Sequence, residues 1–186
     1  MFKDFISNYQ SEYISTLENL EQNSLTELLS LVENAMIKGQ NVFVLGNGGS
    51  SASASHWVCD FNKGVGLEKR ELKARFISLT DNVPVMTAYG NDISYSKVFV
   101  EQLKNLIRKD DLVISLSVSG NSENLVLAQN YAKDQGNKTV CITNNQGNLL
   151  RESADLMISV PSENYGIVED VHMYICHVLS QYIAQK

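Results

Sequence analysis

Residues 41–50 read Asn-Val-Phe-Val-Leu-Gly-Asn-Gly-Gly-Ser. The first five make a short β-rich run, and the next five make a glycine-rich turn that halts it. A helix is expected from about 51 to 61. Strand, Gly/Ser turn and helix in that order make the opening of a βα unit, and the rest of the chain repeats the alternation. Further β-rich runs stand at 73–79, 111–117, 138–143 and 155–160, the last stopped by Pro161. Helical spacing of apolar residues fills about 98–107, 125–133 and 167–183. Strands that alternate with helices predict an α/β fold around a central parallel five-stranded sheet.

Ahead of this pattern, residues 2–38 read as helical. Leu17, Leu20, Leu25, Leu28, Leu29, Leu31 and Val32 recur at helical spacing. Ser24, with Glu27 three residues on, predicts a capping box for a second helix. The expected work of these leading helices is packing, between subunits as well as within one.

Length and composition set the outer limits. The 186 residues, 44% hydrophobic and 19% charged, are enough for one substantial core. The net charge is −6 and no long basic run exists, so a nucleic-acid surface is not expected. Cys59, Cys141 and Cys176 form neither a disulfide framework nor a C-x-x-C pair. All three are expected to be buried, as small apolar residues in a reducing compartment. Met1-Phe-Lys-Asp-Phe5 does not follow a signal-peptide pattern and no apolar run reaches membrane-span length. A cytoplasmic protein without a membrane partner is the expectation.

Two loops share one place in the pattern, the carboxyl end of a strand just before a helix. In open α/β sheets ligands bind at that edge. The first is Gly46-Asn-Gly-Gly-Ser50, whose glycines let backbone amides approach an anion at a helix N-terminus. The second, Ser117-Val-Ser-Gly-Asn-Ser122, offers three hydroxyls within six residues. Neither is a dinucleotide fingerprint, which needs a third glycine, nor a P-loop, which needs Gly-Lys-Ser/Thr. Two readings stay open on the residues alone: a phosphate cradle, or ordinary strand-to-helix turns.

The chain has only three histidines, His56, His172 and His177. His56 and Asp60, four apart, share one helical face, a spacing that suits two ligands of one metal and equally suits a plain surface pair. On the last helix Glu169 and His177 are eight apart, roughly 80° around the axis from one another. His172 and His177 point about 140° apart, so His172 is expected to be structural. For Trp57, Tyr131 and Tyr165 packing is the expectation.

Taken in order, Gly46-Asn-Gly-Gly-Ser50, Gly90-Asn-Asp92, Ser117-Val-Ser-Gly-Asn-Ser122 and the Glu169-Asp-Val-His172 helix resemble the sugar isomerase (SIS) domain family. Within it the chain is most similar to the phosphoheptose isomerase branch, over nearly its whole length. The resemblance implies a three-layer sandwich of SIS, flavodoxin-like type, one SIS domain over 1–186 with 1–40 as an N-terminal helical segment. It implies that Gly48, Gly49, Ser50, Ser117, Ser119 and Ser122 hold a substrate phosphate, while Asn47 and Asp92 face the sugar. It implies a zinc ion, or another divalent metal, one per site, on His56, Asp60, Glu169 and His177, with Asp60 and His177 moving protons. The family usually has Glu at 60, Gln at 169 and Gly-Arg where this chain has Lys63-Gly64. The implied activity is an aldose–ketose isomerisation, sedoheptulose 7-phosphate to D-glycero-D-manno-heptose 7-phosphate, feeding envelope or capsule sugars, in a homo-oligomer, expected as a tetramer. Two alternatives remain: a non-catalytic SIS binding protein, of the kind that assembles on a replication initiator, and an isomerase of another phosphosugar.

Overall fold

The computed structural model describes residues 1–146 and 149–186. Two helices lead, α1 (Phe2–Glu18) and α2 (Gln22–Lys38), and the α/β part follows. Its elements in chain order are β1 (Val42–Gly46), α3 (Gly49–Cys59), a π-helical stretch (Asp60–Val65), α4 (Gly66–Glu68), β2 (Phe76–Ser78), α5 (Val83–Asp92) and α6 (Val100–Leu106). Then come β3 (Leu112–Leu116), α7 (Glu123–Asp134), β4 (Lys138–Asn144), α8 (Leu149–Ser153), β5 (Leu156–Val160) and α9 (Tyr165–Gln185). The five strands pair in parallel in the order β2-β1-β3-β4-β5. That order reverses direction between β1 and β3, the place where a doubly wound sheet opens a crevice at its carboxyl edge.

The strands alternate between two apolar layers, as a sheet covered on both faces must. Val42 and Val44 of β1 join one cluster with α2, α3 and α9. Phe43 and Leu45 join another with α6, α7 and α8. The three-layer α/β sandwich expected from the alternation is therefore present. Each buried strand of this kind removes several large side chains from water, at roughly 1.5–3 kcal/mol apiece.

Several elements depart from the sequence reading. Of the run 73–79 only Phe76–Ser78 joins the sheet, because β2 is an edge strand with β1 as its one partner. α2 starts two residues before Ser24, because the Glu21 carboxylate accepts from the amides of Asn23 (3.1 Å) and Ser24 (2.7 Å). α5 was not expected, although Asn82 caps it through Val85 N–H and Pro84 stands in its first turn. Cys59 is exposed, contrary to the expectation of three buried cysteines, since it lies on the outer face at the end of α3; Cys141 and Cys176 are buried.

α1 docks on α9, where the Tyr9 hydroxyl donates to Asp170 (2.9 Å) and Ser162 donates to Glu12 (2.9 Å) beside it. Burial, with the Asp170 carboxylate next, raises the Tyr9 phenol above its usual range. Phe2, Phe5, Ile6 and Ile14 of α1 stay exposed, as do Val178 and Tyr182 of α9. No helix among the described residues is long and apolar enough to cross a membrane.

Candidate active site

A cavity of about 160 Å³ opens where β1 and β3 end. Asn47, Ser50, Ser117, Ser119 and Ser122 line it, so the two Gly/Ser loops meet as one structure. The N-termini of α3, α7 and α9 all face this place, the last through Tyr165. Three helix N-termini carry partial positive charge and unpaired amides toward one point, a setting that favours an anion without any Lys or Arg.

Local chemistry shapes the loops. Gly48 has φ +55°, a conformation that a side chain would strain. Gly49 has ordinary φ, but a Cβ there would lie 2.6 Å from Cδ of Glu169. The Ser117 hydroxyl accepts from Gly120 N–H (3.0 Å), and that of Ser119 from Asn121 N–H (3.3 Å). Ser122 caps α7 by position only, making no side-chain bond to its own helix. Asn47 is fixed on both sides: its amide and that of Asn124 exchange bonds of 2.9 and 3.0 Å, and Tyr95 donates to its oxygen at 2.8 Å.

A second group lies farther along α3 and α9. Nε2 of His56 and Nε2 of His177 are 3.3 Å apart. Asp60 places one oxygen 3.4 Å from His56 Nε2 and the other 3.6 Å from His177 Nε2. His56 and Asp60 come from one face of the α3 turn, as their spacing required. His177, far off in sequence, arrives because α3 and α9 ascend together, with Gly49 against Glu169 at one end and His56 against His177 at the other. At Asp60 the helix widens into its π-helical stretch, a local feature frequent at functional sites. Cys176 donates its thiol to Asp60 at 3.8 Å. Burial, with the adjacent Asp60 charge next, pushes that thiol well above the usual range, so it remains a donor. These three residues could hold a metal ion.

Glu169 does not join them. The sequence reading put it with the metal ligands; in the structure its carboxylate lies against Gly49 and lines the serine cavity. Eight residues of helix separate it from His177 by about 12 Å of rise, which explains the parting. Asp92, expected at the sugar, is the last residue of α5, accepts from Asn91 (2.8 Å) and does not line this cavity. Lys63 and Gly64 border a separate recess beside Asp60.

His172 is structural, as expected. It is fully buried, and its Nε2 stands 3.2 Å from the Ile142 carbonyl. Trp57, also buried, donates Nε1–H to the His172 carbonyl at 3.1 Å. Tyr131 packs in the second cluster as anticipated, whereas Tyr165 is exposed at the mouth of the cavity. Tyr95, Asn124 and Tyr165 are the site residues that sequence reasoning missed. Asn124 had a signal, two residues beyond the serine loop on a helix that starts there.

The SIS domain family model matches residues 5–144. A phosphoheptose isomerase of Aliarcobacter butzleri (strain RM4018) is 32% identical over 183 residues, 98% of this chain and 95% of that protein. One from Helicobacter pylori (strain P12) is 33% identical over 177 residues, 91% of each chain. Among solved structures, a phosphoheptose isomerase from Francisella tularensis superimposes with a TM-score of 0.90 at 28% identity, covering all of both chains.

Proposed function

The chain belongs to the phosphoheptose isomerase branch of the SIS domain family, and on that premise we propose that it is a cytoplasmic enzyme interconverting sedoheptulose 7-phosphate and D-glycero-D-manno-heptose 7-phosphate. The single observation that carries this reading is the pairing of a cation-free anion cradle with a His56, Asp60, His177 cluster on the same two helices. A ketose phosphate needs both: a grip on its phosphate, and proton-transfer groups at its carbonyl end.

In this reading Ser50, Ser117, Ser119 and Ser122 give hydroxyls to the phosphate, and the amides at Gly48 and Gly49 face it from the start of α3. Asn47, locked by Asn124 and Tyr95, presents its remaining amide hydrogen to a sugar oxygen. The reaction moves one proton between adjacent carbons and another between their oxygens, with no net oxidation. Asp60 takes and returns the carbon-bound proton; His177 serves the oxygens. Asp92 is assigned to the sugar's far end, at the mouth of the site.

The donor set suits zinc. Tetrahedral zinc with nitrogen ligands at about 2.0–2.1 Å has ligand–ligand edges of about 3.3–3.4 Å. His56, His177 and Asp60 form a triangle of 3.3, 3.4 and 3.6 Å. Three protein ligands with an open position is the pattern of catalytic rather than structural zinc. The bound ion would act as a Lewis acid on the sugar's neighbouring oxygens. Asp60 is one methylene shorter than the family's usual Glu and is held by two histidines and Cys176, which keeps it close to His177.

The deciding experiment combines metal analysis with turnover. Wild type is expected to carry about one divalent ion per chain and to convert sedoheptulose 7-phosphate. His56→Ala and His177→Ala are expected to lose the ion and at least 100-fold of the activity, on the order of one missing acid–base or ligand group. Asp60→Glu, which restores the family's residue, is expected to keep the ion. A metal-loaded wild type that isomerises no aldose or ketose phosphate would sink the proposal.

A further inference from the structure

The serine cavity contains one feature that phosphate binding does not require. Glu169 is the only carboxylate among its lining residues, and no Lys or Arg lines it. The carboxylate does not hang at the rim. It lies against the first residue of α3, so close that a Cβ on Gly49 would overlap it. That is where amides at the helix N-terminus meet an anion. Glu169 therefore takes the seat that a phosphate oxygen would use, with a negative charge that no cation in the lining offsets.

We propose that Glu169 is a specificity-determining residue, whose carboxylate guards the cradle against inorganic phosphate and yields to a phosphate that carries hydroxyl groups. The proposal rests on reading the two Gly/Ser loops as the phosphate cradle. Inorganic phosphate must push the carboxylate off the α3 amides and then sit beside it, like charge against like charge, with nothing in return. A polyol phosphate also displaces it but brings several hydroxyl donors. Displaced, the Glu169 carboxylate accepts from one of them, since an ionised carboxylate has acceptor sites in excess. Glutamine, the residue usual in the family, has the same length and no charge, so it cannot exclude the bare ion in this way. Glu169 acts by charge and position and takes no part in proton transfer.

The test is calorimetric titration of the purified, metal-containing protein with inorganic phosphate and, separately, with sedoheptulose 7-phosphate. Wild type, Glu169→Gln and Glu169→Ala are compared, with melting temperatures to verify folding. Removing one unit charge next to the anion is expected to tighten inorganic phosphate at least about tenfold in both variants. Sedoheptulose 7-phosphate is expected to change by less than about threefold in Glu169→Gln, because a lost repulsion and a lost hydroxyl acceptor offset one another. Inorganic phosphate binding that is unchanged or weaker in both variants overturns the proposal. So does an equal gain for both ligands, and so does a failure of all three proteins to bind inorganic phosphate. If the variants tighten inorganic phosphate while the sugar phosphate binds to none of the three, the substrate assignment falls and the exclusion of the bare ion by Glu169 stands.

Discussion

Lowering the pH should weaken this protein through His172 before it disables the site. His172 Nε2 faces the Ile142 carbonyl, which can only accept, so Nε2 carries the proton in the neutral ring. Nδ1 is buried without a partner. A second proton would create a charged donor there with nothing to bond. Burial accordingly pushes the His172 pKa down from 6.5 to about 4. The sign follows directly. Above about pH 6.5 both folded and unfolded chains hold a neutral ring, and this group costs nothing. Between about 6.5 and 4 the unfolded chain takes up a proton that the folded chain refuses, so stability falls. Below about 4 the folded chain binds it as well, and the loss stops growing. A gap of about two and a half pH units, at about 1.4 kcal/mol for each, is a total on the order of 3 kcal/mol. Most of it, about 2.5 kcal/mol, is spent by pH ~4.5.

The assay is urea unfolding at several pH values between about 7.5 and 4.5 for wild type and His172→Gln. Glutamine can donate to the Ile142 carbonyl but does not titrate. Carboxylates contribute in both proteins, so the difference between the two curves isolates the histidine. That difference should shrink by about 2.5 kcal/mol across the range, against wild type. A difference that stays flat would refute the argument. The consequence reaches the site, because the Ile142 carbonyl also accepts from Ser117 N–H (3.1 Å) and His172 lies on the helix that bears Glu169 and His177.

Other expectations concern the cradle and the assembly. Ser122→Ala should weaken sugar phosphate binding by roughly 1.5–3 kcal/mol, measured by calorimetry, and leave the melting temperature unchanged, since that hydroxyl makes no capping bond. Ser117→Ala should weaken binding and also lower stability by about 1 kcal/mol, because its buried hydroxyl accepts from Gly120 N–H. The exposed apolar row on α1 and the outer face of α9 lead us to expect a homo-oligomer, a tetramer by family precedent. Sedimentation showing only monomer at micromolar concentration would refute that expectation.

Much of this molecule is set by local sequence. Hydrophobic runs five to seven residues long, each ended by Gly, Ser or Pro and followed by helical spacing, leave a parallel α/β sheet as the consistent arrangement. The two Gly/Ser loops were legible because a sheet of that type brings the carboxyl ends of its strands to one edge. The His56 and Asp60 pairing was legible because helical spacing is a local property. Tertiary structure alone decided the rest. It cut the second strand to three residues, since an edge position offers one partner only. It brought His177 to His56 across 121 positions of sequence through the shared ascent of α3 and α9. It also separated Glu169 from His177, because helical rise along α9 carries one to the cradle and the other to the histidine–aspartate cluster. Spacing on a helix fixes an angle and a rise; which neighbour waits at that height depends on how two distant helices pack against one sheet.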